Sequence, residues 1–298
     1  MRPPGDGPPI PIPRVAQLSL GDVEIAYDEI EGAAPPLVLL HGLTGHRADF
    51  LPLLPRLAER RPGLRLLAPD LRGHGDSTHG GDEACFGFER LVADLARFLD
   101  GCDAPRCHLL GHSFGGMVAL RFALAHPTRL LSLLLASTAP FAPPTYTAEI
   151  FEKSGEIART RGMACLQALI EQRARSAPPT RPSDRQAARW SASYWPHHRH
   201  RYRSMDPLAY RALGLAMVGQ RPVTDRLGEL ALPTTVLVGQ DDEDFLAGAE
   251  ALARGIPAAD FVRIADAGHH PHREAPDAWL DAVCALLDRS AAPRGAAS

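Results

Sequence analysis

Residues 107–126 read CHLLGHSFGGMVALRFALAH. The apolar start of this stretch predicts a buried strand at 107–110, and its second half predicts a helix at 116–125. Between them lies GHSFG at 111–115, which is a G-x-S-x-G motif. On a strand–turn–helix this motif is typical of a serine held on a sharp, strained turn, with its hydroxyl exposed at the edge of a sheet. The stretch therefore predicts an α/β fold in which Ser113 occupies such a turn.

Patterns of strand and helix alternate on both sides of this motif. Apolar and polar residues alternate around Gly21-Asp22, which predicts a β-hairpin. Further strands are predicted at 37–40, 64–68, 130–135, 234–238 and 260–265, and further helices at 49–60, 88–99, 245–254 and 276–287. Such alternation is typical of βαβ units and a parallel sheet.

The alternation is interrupted between residues 140 and 225, where helical patterns and Pro-Pro pairs replace strands. Because an insertion between strands of an open sheet lies at their carboxyl ends, where ligands also bind, we expect it to cover the site as a lid. The predicted organisation begins with a flexible Pro-rich N-terminal extension at 1–14. An α/β core follows in two parts, at 15–139 and 226–290, with a helical cap at 140–225 between them. A flexible C-terminus is predicted at 291–298.

The composition excludes several classes of protein. Gly and Pro make up about 18% of the 298 residues, below the roughly 25–30% of low-complexity chains. A net charge of −3 gives no basic field for nucleic acid. The start of the chain lacks the apolar segment of a signal peptide, no apolar run is long enough to span a bilayer, and the five cysteines show no CxxC spacing. We therefore expect a cytoplasmic protein with no nucleic-acid or membrane partner.

A serine hydroxyl needs a base, and the base needs an acid that orients it. For this motif the expected chain order is serine, then Asp or Glu, then His. VLVGQDDED at 236–244 and ADAGHHPHREAP at 265–276 follow the last two predicted strands, so both lie at the sheet edge that carries Ser113. On this argument alone the candidate acids and bases are Asp241, Asp242, Asp244, His269, His270 and His272.

Five motifs together make the chain similar to the α/β-hydrolase fold superfamily, in its capped branch of Ser-His-Asp hydrolases, over about residues 15–290. The motifs are HGLTG at 41–45, DLRGHGDS at 70–77, GHSFGG at 111–116, GQDD at 239–242 and GHHPHREAP at 268–276. The resemblance implies a mostly parallel eight-stranded sheet flanked by helices, with a helical cap. The motifs carry little information on the substrate.

The resemblance also implies roles for single residues. It makes Ser113 the nucleophile, Asp242 the acid and His269 the base. The backbone N–H groups of Phe114 and Leu43 are the expected donors to the oxyanion of a tetrahedral intermediate.

Polar residues of the HGLTG and DLRGHGDS motifs are expected to have structural roles. His41 should order the oxyanion loop, Asp70, Arg72 and Asp76 should pin the second loop, and His74 should belong to that loop. No cofactor is expected. No metal is expected either, because HHPH at 269–272 lacks companion ligands at a suitable spacing.

These features predict a serine hydrolase that cleaves a carboxylic ester or lactone through an acyl-enzyme on Ser113. A hydrolase of carbon–carbon bonds in vinylogous diketones would use the same triad and stays open as an alternative. A non-catalytic receptor for a small ligand is the alternative from another class, since this fold hosts such proteins. Haloalkane dehalogenases and epoxide hydrolases are excluded because their nucleophile is a carboxylate, and Phe114 and HGLTG argue against an aminopeptidase.

The cap sequence is unusually basic. Residues 140–225 contain thirteen basic and seven acidic side chains, a net charge of +6. Two interpretations stay open: a solvated arginine face, or a surface that attracts an anionic substrate such as a carboxylate or a phosphate-bearing acyl carrier. The large apolar cap residues should form its core, with one or two lining an acyl pocket. These residues include Phe151, Met163, Leu166, Trp190, Tyr194, Trp195 and Met217.

Overall fold

The computed structural model describes residues 11–78, 80–176, 178–180 and 182–291, with the side chains of 182, 183, 186 and 191 excepted. Most of the predicted N-terminal extension and of the predicted flexible C-terminus lies outside the described residues. Residues 11–13 have no regular structure, and the first strand begins at Arg14. Among the described residues, no helix is both long and apolar enough to cross a membrane.

One sheet of eight strands forms the centre of the molecule, in the order β1-β2-β4-β3-β5-β6-β7-β8. The pairs β1–β2 and β2–β4 are antiparallel, and the remaining neighbours are parallel. This confirms the predicted hairpin and the predicted mostly parallel sheet. The strands are β1 (Arg14–Ser19), β2 (Glu24–Ile30), β3 (Ala34–Leu40), β4 (Leu64–Pro69), β5 (Cys107–His112), β6 (Leu130–Ala136), β7 (Thr234–Gly239) and β8 (Asp260–Ile264).

Eleven helices lie in the described part of the chain. They are α1 (Leu54–Arg60), α2 (Phe88–Gly101), α3 (Phe114–Ala125), α4 (Ala148–Arg161), α5 (Met163–Ser176), α6 (Pro182–Arg189), α7 (Ser191–Arg203), α8 (Pro207–Gly219), α9 (Leu246–Gly255), α10 (Pro271–Glu274) and α11 (Pro276–Ala291). Short 3-10 helices occupy Arg47–Asp49, Glu83–Cys85, Pro127–Arg129 and Thr224–Glu229.

The helices cover both faces of the sheet. Apolar residues of α2, α3 and α9 form a core against one face, which continues into the cap. Residues of α1 and α11 form the core of the other face, where Phe50 and Trp279 are fully buried and stack on each other. Burying both faces in this way is what a largely parallel sheet with apolar strands requires.

Five helices, α4–α8, lie between β6 and β7 and form the cap. A side chain on Gly214 would overlap the ring of Phe151, so this glycine lets α8 pack closely against α4. The cap is joined to the core where the Asp206 N–H donates to the Gly73 carbonyl (2.9 Å) and the Gly75 N–H to the Ser204 carbonyl (2.6 Å). The DLRGHGDS loop therefore holds the cap against the sheet edge.

The polar residues of that loop make the pinning contacts expected of them. The Asp70 carboxylate accepts the Arg47 N–H at 2.6 Å and the Asp76 N–H at 2.9 Å. Arg72 forms a two-pronged ion pair with Asp94, with both distances at 2.8 Å. Arg47, which also pairs with Asp70 through its side chain, and Asp94 are members of this network that the sequence did not indicate.

One helix boundary differs from the expectation, and one short helix was not expected. The helix predicted at 49–60 begins only at Leu54, after a 3-10 turn at Arg47–Asp49. Pro52 and Pro55 have no N–H to donate, so the helical hydrogen-bond ladder starts late. The short helix α10 was not predicted, since four residues are too few for a periodic pattern.

Candidate active site

The turn that carries Ser113 joins β5 to α3 and has a strained backbone. Ser113 has φ 55° and ψ −121°, outside the regions that L-residues usually adopt. A side chain on Gly111 would overlap the Gly115 backbone, and one on Gly115 would overlap the carbonyl of His41. Glycine on both sides therefore permits the sharp turn, as the motif predicts.

A hydrogen-bonded relay links the three residues to which the resemblance assigns catalytic roles. The Ser113 hydroxyl lies 3.0 Å from His269 Nε2. His269 Nδ1 donates to Asp242 Oδ2, also at 3.0 Å. Ser113 is 7% exposed and Asp242 is 3% exposed. Of the candidates left open by the spacing, these are the acid and base that the structure joins to Ser113.

Contacts between the loops after β7 and β8 bring Asp242 beside His269. Gly239 ends β7, and a side chain there would overlap the carbonyl of Gly268 in the other loop. The Asp241 N–H donates to the Ala267 carbonyl at 2.8 Å. The two loops therefore run side by side at the carboxyl edge of the sheet.

The electrostatics of His269 suit a general base. Burial lowers the pKa of His269, but the charge and hydrogen bond of Asp242 outweigh this effect, so the pKa is raised above 6.5. Because Nδ1 donates to Asp242, Nε2 presents its lone pair to the Ser113 hydroxyl. The ring of Phe245 stacks on the imidazole at a centroid distance of 4.6 Å and covers one face of it.

Two backbone segments lie next to Ser113, the start of α3 and the HGLTG loop. Phe114 is the first residue of α3, so its N–H is among those without an acceptor inside the helix. In the HGLTG loop, a Cβ on Gly42 would lie 3.3 Å from the Cβ of Ser113 and 3.6 Å from its Oγ. The peptide between Gly42 and Leu43 therefore passes directly beside the serine.

His41 holds that peptide in its orientation. Its Nε2 accepts the Leu71 N–H at 2.9 Å, so the proton is on Nδ1, which donates to the Gly42 carbonyl at 2.8 Å. Burial lowers the pKa of His41 well below 6.5, which keeps the ring neutral. Since the Gly42 carbonyl and the Leu43 N–H belong to one peptide, the bond from His41 also directs the N–H. His74 Nε2 donates to the Leu43 carbonyl at 2.6 Å and holds the loop from its other side.

A cavity of about 390 Å³ opens above Ser113 and His269, between the core and the cap. Of the cap residues named from the sequence, Phe151, Tyr194 and Met217 line this cavity, whereas others are buried inside the cap. Helix α7 contributes one polar and aromatic face to the cavity, consisting of Tyr194, His198, Arg201 and Tyr202. Their spacing of three and four residues is the one signal that could have grouped them in the sequence.

Residues 35–276 match the family model of the alpha/beta hydrolase fold. The chain belongs to this family. The match covers the sheet from β3 to β8, the strained serine turn and both loops of the relay, and it confirms the expectation from the motifs.

Individual relatives of this hydrolase differ in how much they share with it. An sn-1-specific diacylglycerol lipase of Xenopus laevis is 37% identical over 41% of the chain, and the match spans only 39% of the lipase. A pimeloyl-(acyl-carrier protein) methyl ester esterase of Aeromonas hydrophila is 28% identical over 85% of the chain and 95% of its own length. The crystal structure of an esterase from Thermogutta terrifontis, with malate bound, has a TM-score of 0.76 and 27% identity, and covers 93% of this chain and 99% of that one.

His112 supports the candidate site in a way that the sequence did not indicate. This buried residue, at the end of β5, donates from Nε2 to the carbonyl of His269 at 2.6 Å. Burial lowers the pKa of His112 to about 3, so the ring is neutral. His112 therefore fixes the backbone of His269, whose ring accepts the hydrogen bond of the Ser113 hydroxyl.

Two clusters among the described residues have side chains of the kind that bind metals. The clusters are His112 with His270 and His272, and His46 with Asp49 and His197. In the first cluster, His112 is the companion side chain that HHPH at 269–272 lacks in the sequence. The candidate ligand atoms in each cluster lie within 4.8 Å of one another. In the second cluster, His197 Nε2 lies 2.9 Å from Asp49 Oδ1.

Proposed function

We propose that this protein is a serine hydrolase that cleaves a carboxylic ester or lactone through an acyl-enzyme on Ser113. The observation that carries the proposal is the continuous relay from Ser113 through His269 to Asp242, at the floor of a cavity. The strained turn supports it as well, because strain of this kind is retained where it serves function. The esterase names of the Aeromonas and Thermogutta relatives agree with the reaction class.

In the first half of the reaction, His269 Nε2 takes the proton of Ser113 as Oγ attacks the carbonyl carbon. The resulting oxyanion accepts hydrogen bonds from the N–H groups of Phe114 and Leu43. Asp242 stabilises the imidazolium that has formed. When the tetrahedral intermediate collapses, His269 gives its proton to the departing alkoxide, and the acyl group stays on the serine oxygen.

In the second half, His269 takes a proton from a water molecule as the water attacks the acyl-enzyme. The same two N–H groups bind the second oxyanion. Collapse returns the proton to Ser113 Oγ and releases the acid. For a lactone the leaving alcohol stays attached to the acyl group, so water opens the ring and the product is one hydroxy acid.

The cap, at about 140–225, is proposed to act as the lid of this site. It supplies the aromatic walls of the cavity above Ser113, and these walls would exclude bulk water from the acyl-enzyme. A small-molecule ester or acyl compound is the proposed substrate, because the cavity is of ordinary ligand size.

The experiment that tests the proposal combines turnover with active-site labelling. Wild type should hydrolyse p-nitrophenyl butyrate and react with a fluorophosphonate probe. Ser113→Ala should lose both, with a fall in kcat of at least about 10³-fold. Ser176→Ala, at an exposed serine of α5, is the matched control and should retain both. Normal turnover by Ser113→Ala, or a wild type that binds small ligands but is never labelled, would rule the mechanism out; the second result would favour a receptor.

A further inference from the structure

A second, smaller cavity of about 110 Å³ adjoins the one above Ser113. Both cavities are lined by the same side of α7 and by the same loop, so they meet at these residues. The shared residues are Tyr194, His198, Arg201, His270 and Glu274. The smaller cavity is thus a side chamber of the proposed active site.

Two arginines line the side chamber, Arg201 from α7 and Arg273 from α10. Arg201 is 7% exposed, and its Nε has no hydrogen-bond partner. Among the described residues, no carboxylate lies within ion-pair distance of either guanidinium, although most other arginines of the chain have such a partner. Arg201 is buried and Arg273 is half-buried. Placing a guanidinium there without an ion-pair partner is costly, so these two side chains point to a missing anion.

Asp49 and Glu274 attract these arginines from beyond ion-pair distance, and each also contacts another group. Asp49 lies 2.9 Å from His197 Nε2. Glu274 accepts the N–H of Gly268. Burial is the main cause that lowers the pKa of Arg273, and the charge of Asp49 opposes it. The charge of Arg201 lowers this pKa further, because the two guanidinium groups repel each other.

We propose that the side chamber is a carboxylate subsite, in which Arg201 and Arg273 bind an anionic end of the substrate while the ester lies at Ser113. The planar fork of a guanidinium matches a carboxylate in two parallel hydrogen bonds. The substrate class is then a half-ester of a dicarboxylic acid, or a lactone that carries a carboxylate. This inference rests on the proposed function and narrows it.

The test compares two chromogenic esters of matched shape. Mono-p-nitrophenyl adipate ends in a carboxylate where p-nitrophenyl hexanoate ends in a methyl group. We expect wild type to prefer the adipate half-ester in kcat/KM. Arg201→Gln and Arg273→Gln should each lower the ratio of adipate to hexanoate by about 10- to 100-fold, mainly through KM, because a charge-assisted hydrogen bond is lost.

The matched control is Arg203→Gln, which removes the same charge from an exposed position on the same helix. At about 0.5 M NaCl, where exposed charges are screened, Arg203→Gln should leave the ratio unchanged. Because the readout is a ratio, a variant that folds poorly lowers both rates and leaves the ratio as it was. Inhibition of hexanoate ester hydrolysis by free adipate gives a second measure, and Arg201→Gln should weaken it by a similar factor.

The outcomes separate this inference from the function on which it rests. If wild type hydrolyses the hexanoate ester without preferring the adipate, and Arg201→Gln leaves the ratio unchanged, the subsite is overturned and the serine hydrolase stands. If neither ester is cleaved and Ser113 is not labelled, the proposed function fails. Calorimetry with adipate then decides the subsite: binding that Arg201→Gln weakens supports it, and no binding overturns it.

Discussion

In the proposed mechanism, the protonation of His269 controls the reactivity of Ser113. Asp242 raises the pKa of this imidazole above 6.5, and only the neutral ring can accept the serine proton. We therefore expect kcat/KM to fall as the pH decreases through a midpoint above 6.5. Asp242→Asn should move this midpoint to lower pH and reduce kcat by about 10⁴-fold, since charge and tautomer control are both lost.

This prediction is checked with rate profiles between about pH 5 and 9 on a neutral p-nitrophenyl ester, whose own charge does not change. Asp100→Asn removes a carboxylate from an exposed site on α2 and should leave the midpoint in place. A wild-type midpoint below 6.5, or one that Asp242→Asn does not move, would contradict the assignment of His269 as base.

Gly42 is a second residue whose role is testable, because its backbone lies against Ser113. A Cβ there would sit 3.3 Å from both the Ser113 Cβ and His112 Nδ1, so the loop must move by a few tenths of an ångström. Gly42→Ala should displace the Leu43 N–H and lower kcat by about 10- to 100-fold. In Gly228→Ala the added Cβ meets nothing within 4 Å, so kcat should be unchanged. Equal activity of the two variants would show that the loop does not supply an oxyanion donor.

Single residues of the relay could be predicted because short motifs encode them. The strand–turn–helix context indicated Ser113. The positions after the last two strands left several acids and histidines open, and the resemblance to the family selected Asp242 and His269 among them. Arg201 and His112 could not be predicted in this way. The residues around them come from elements far apart in sequence, so their roles depend on how the sheet and cap are assembled.

At the element scale, a buried ion pair links two cap helices. Glu171 of α5 accepts from Arg199 of α7 at 2.7 and 2.9 Å, and from Arg175 on its own helix at 2.9 Å. These bonds lower the pKa of Glu171 to about 2, and the bond with Arg199 is the largest cause. Because the folded-state pKa is depressed, this stabilisation is present above about pH 4.5 and is lost as the pH falls toward 2.

We expect Glu171→Gln to lower the free energy of unfolding by about 1–3 kcal/mol at neutral pH. This is less than the loss expected for a fully buried ion pair, because both arginines are half-exposed. Thermal unfolding by circular dichroism gives the measurement. The difference between variant and wild type should shrink as the pH is lowered from 5 toward 3. Glu152→Gln, at an exposed position on α4, is the control. A difference that stays constant with pH would show that the carboxylate charge is not the cause.

Whole elements of the core were predictable, while the arrangement of the cap was not. Apolar runs and helical periodicity located the strands of the sheet, since each has a local pattern. The cap helices pack through non-local fits such as Gly214 against Phe151, which no periodicity reports. The sequence therefore predicted a cap over the site but not which of its faces lines the cavity.

At the scale of the whole molecule, the basic cap raises the question of whether charge acts at long range or only inside the side chamber. Residues 140–225 carry a net charge of +6 in a chain of net charge −3. Exposed charges steer an anionic substrate only within the Debye length, about 10 Å at 0.1 M salt. The buried Arg201 is screened much less.

The two effects predict different responses to salt. If the cap surface steers the substrate, kcat/KM for mono-p-nitrophenyl adipate should fall several-fold between roughly 0.02 and 0.5 M NaCl, while that for p-nitrophenyl hexanoate stays constant. Arg203→Gln should flatten this slope, because its charge faces solvent. Arg201→Gln should instead lower the adipate rate by a similar factor at every salt concentration, because its contact is inside the cavity. Parallel salt slopes for the adipate and hexanoate esters would mean that the surface arginines are a solvated face, with charge recognition confined to the side chamber.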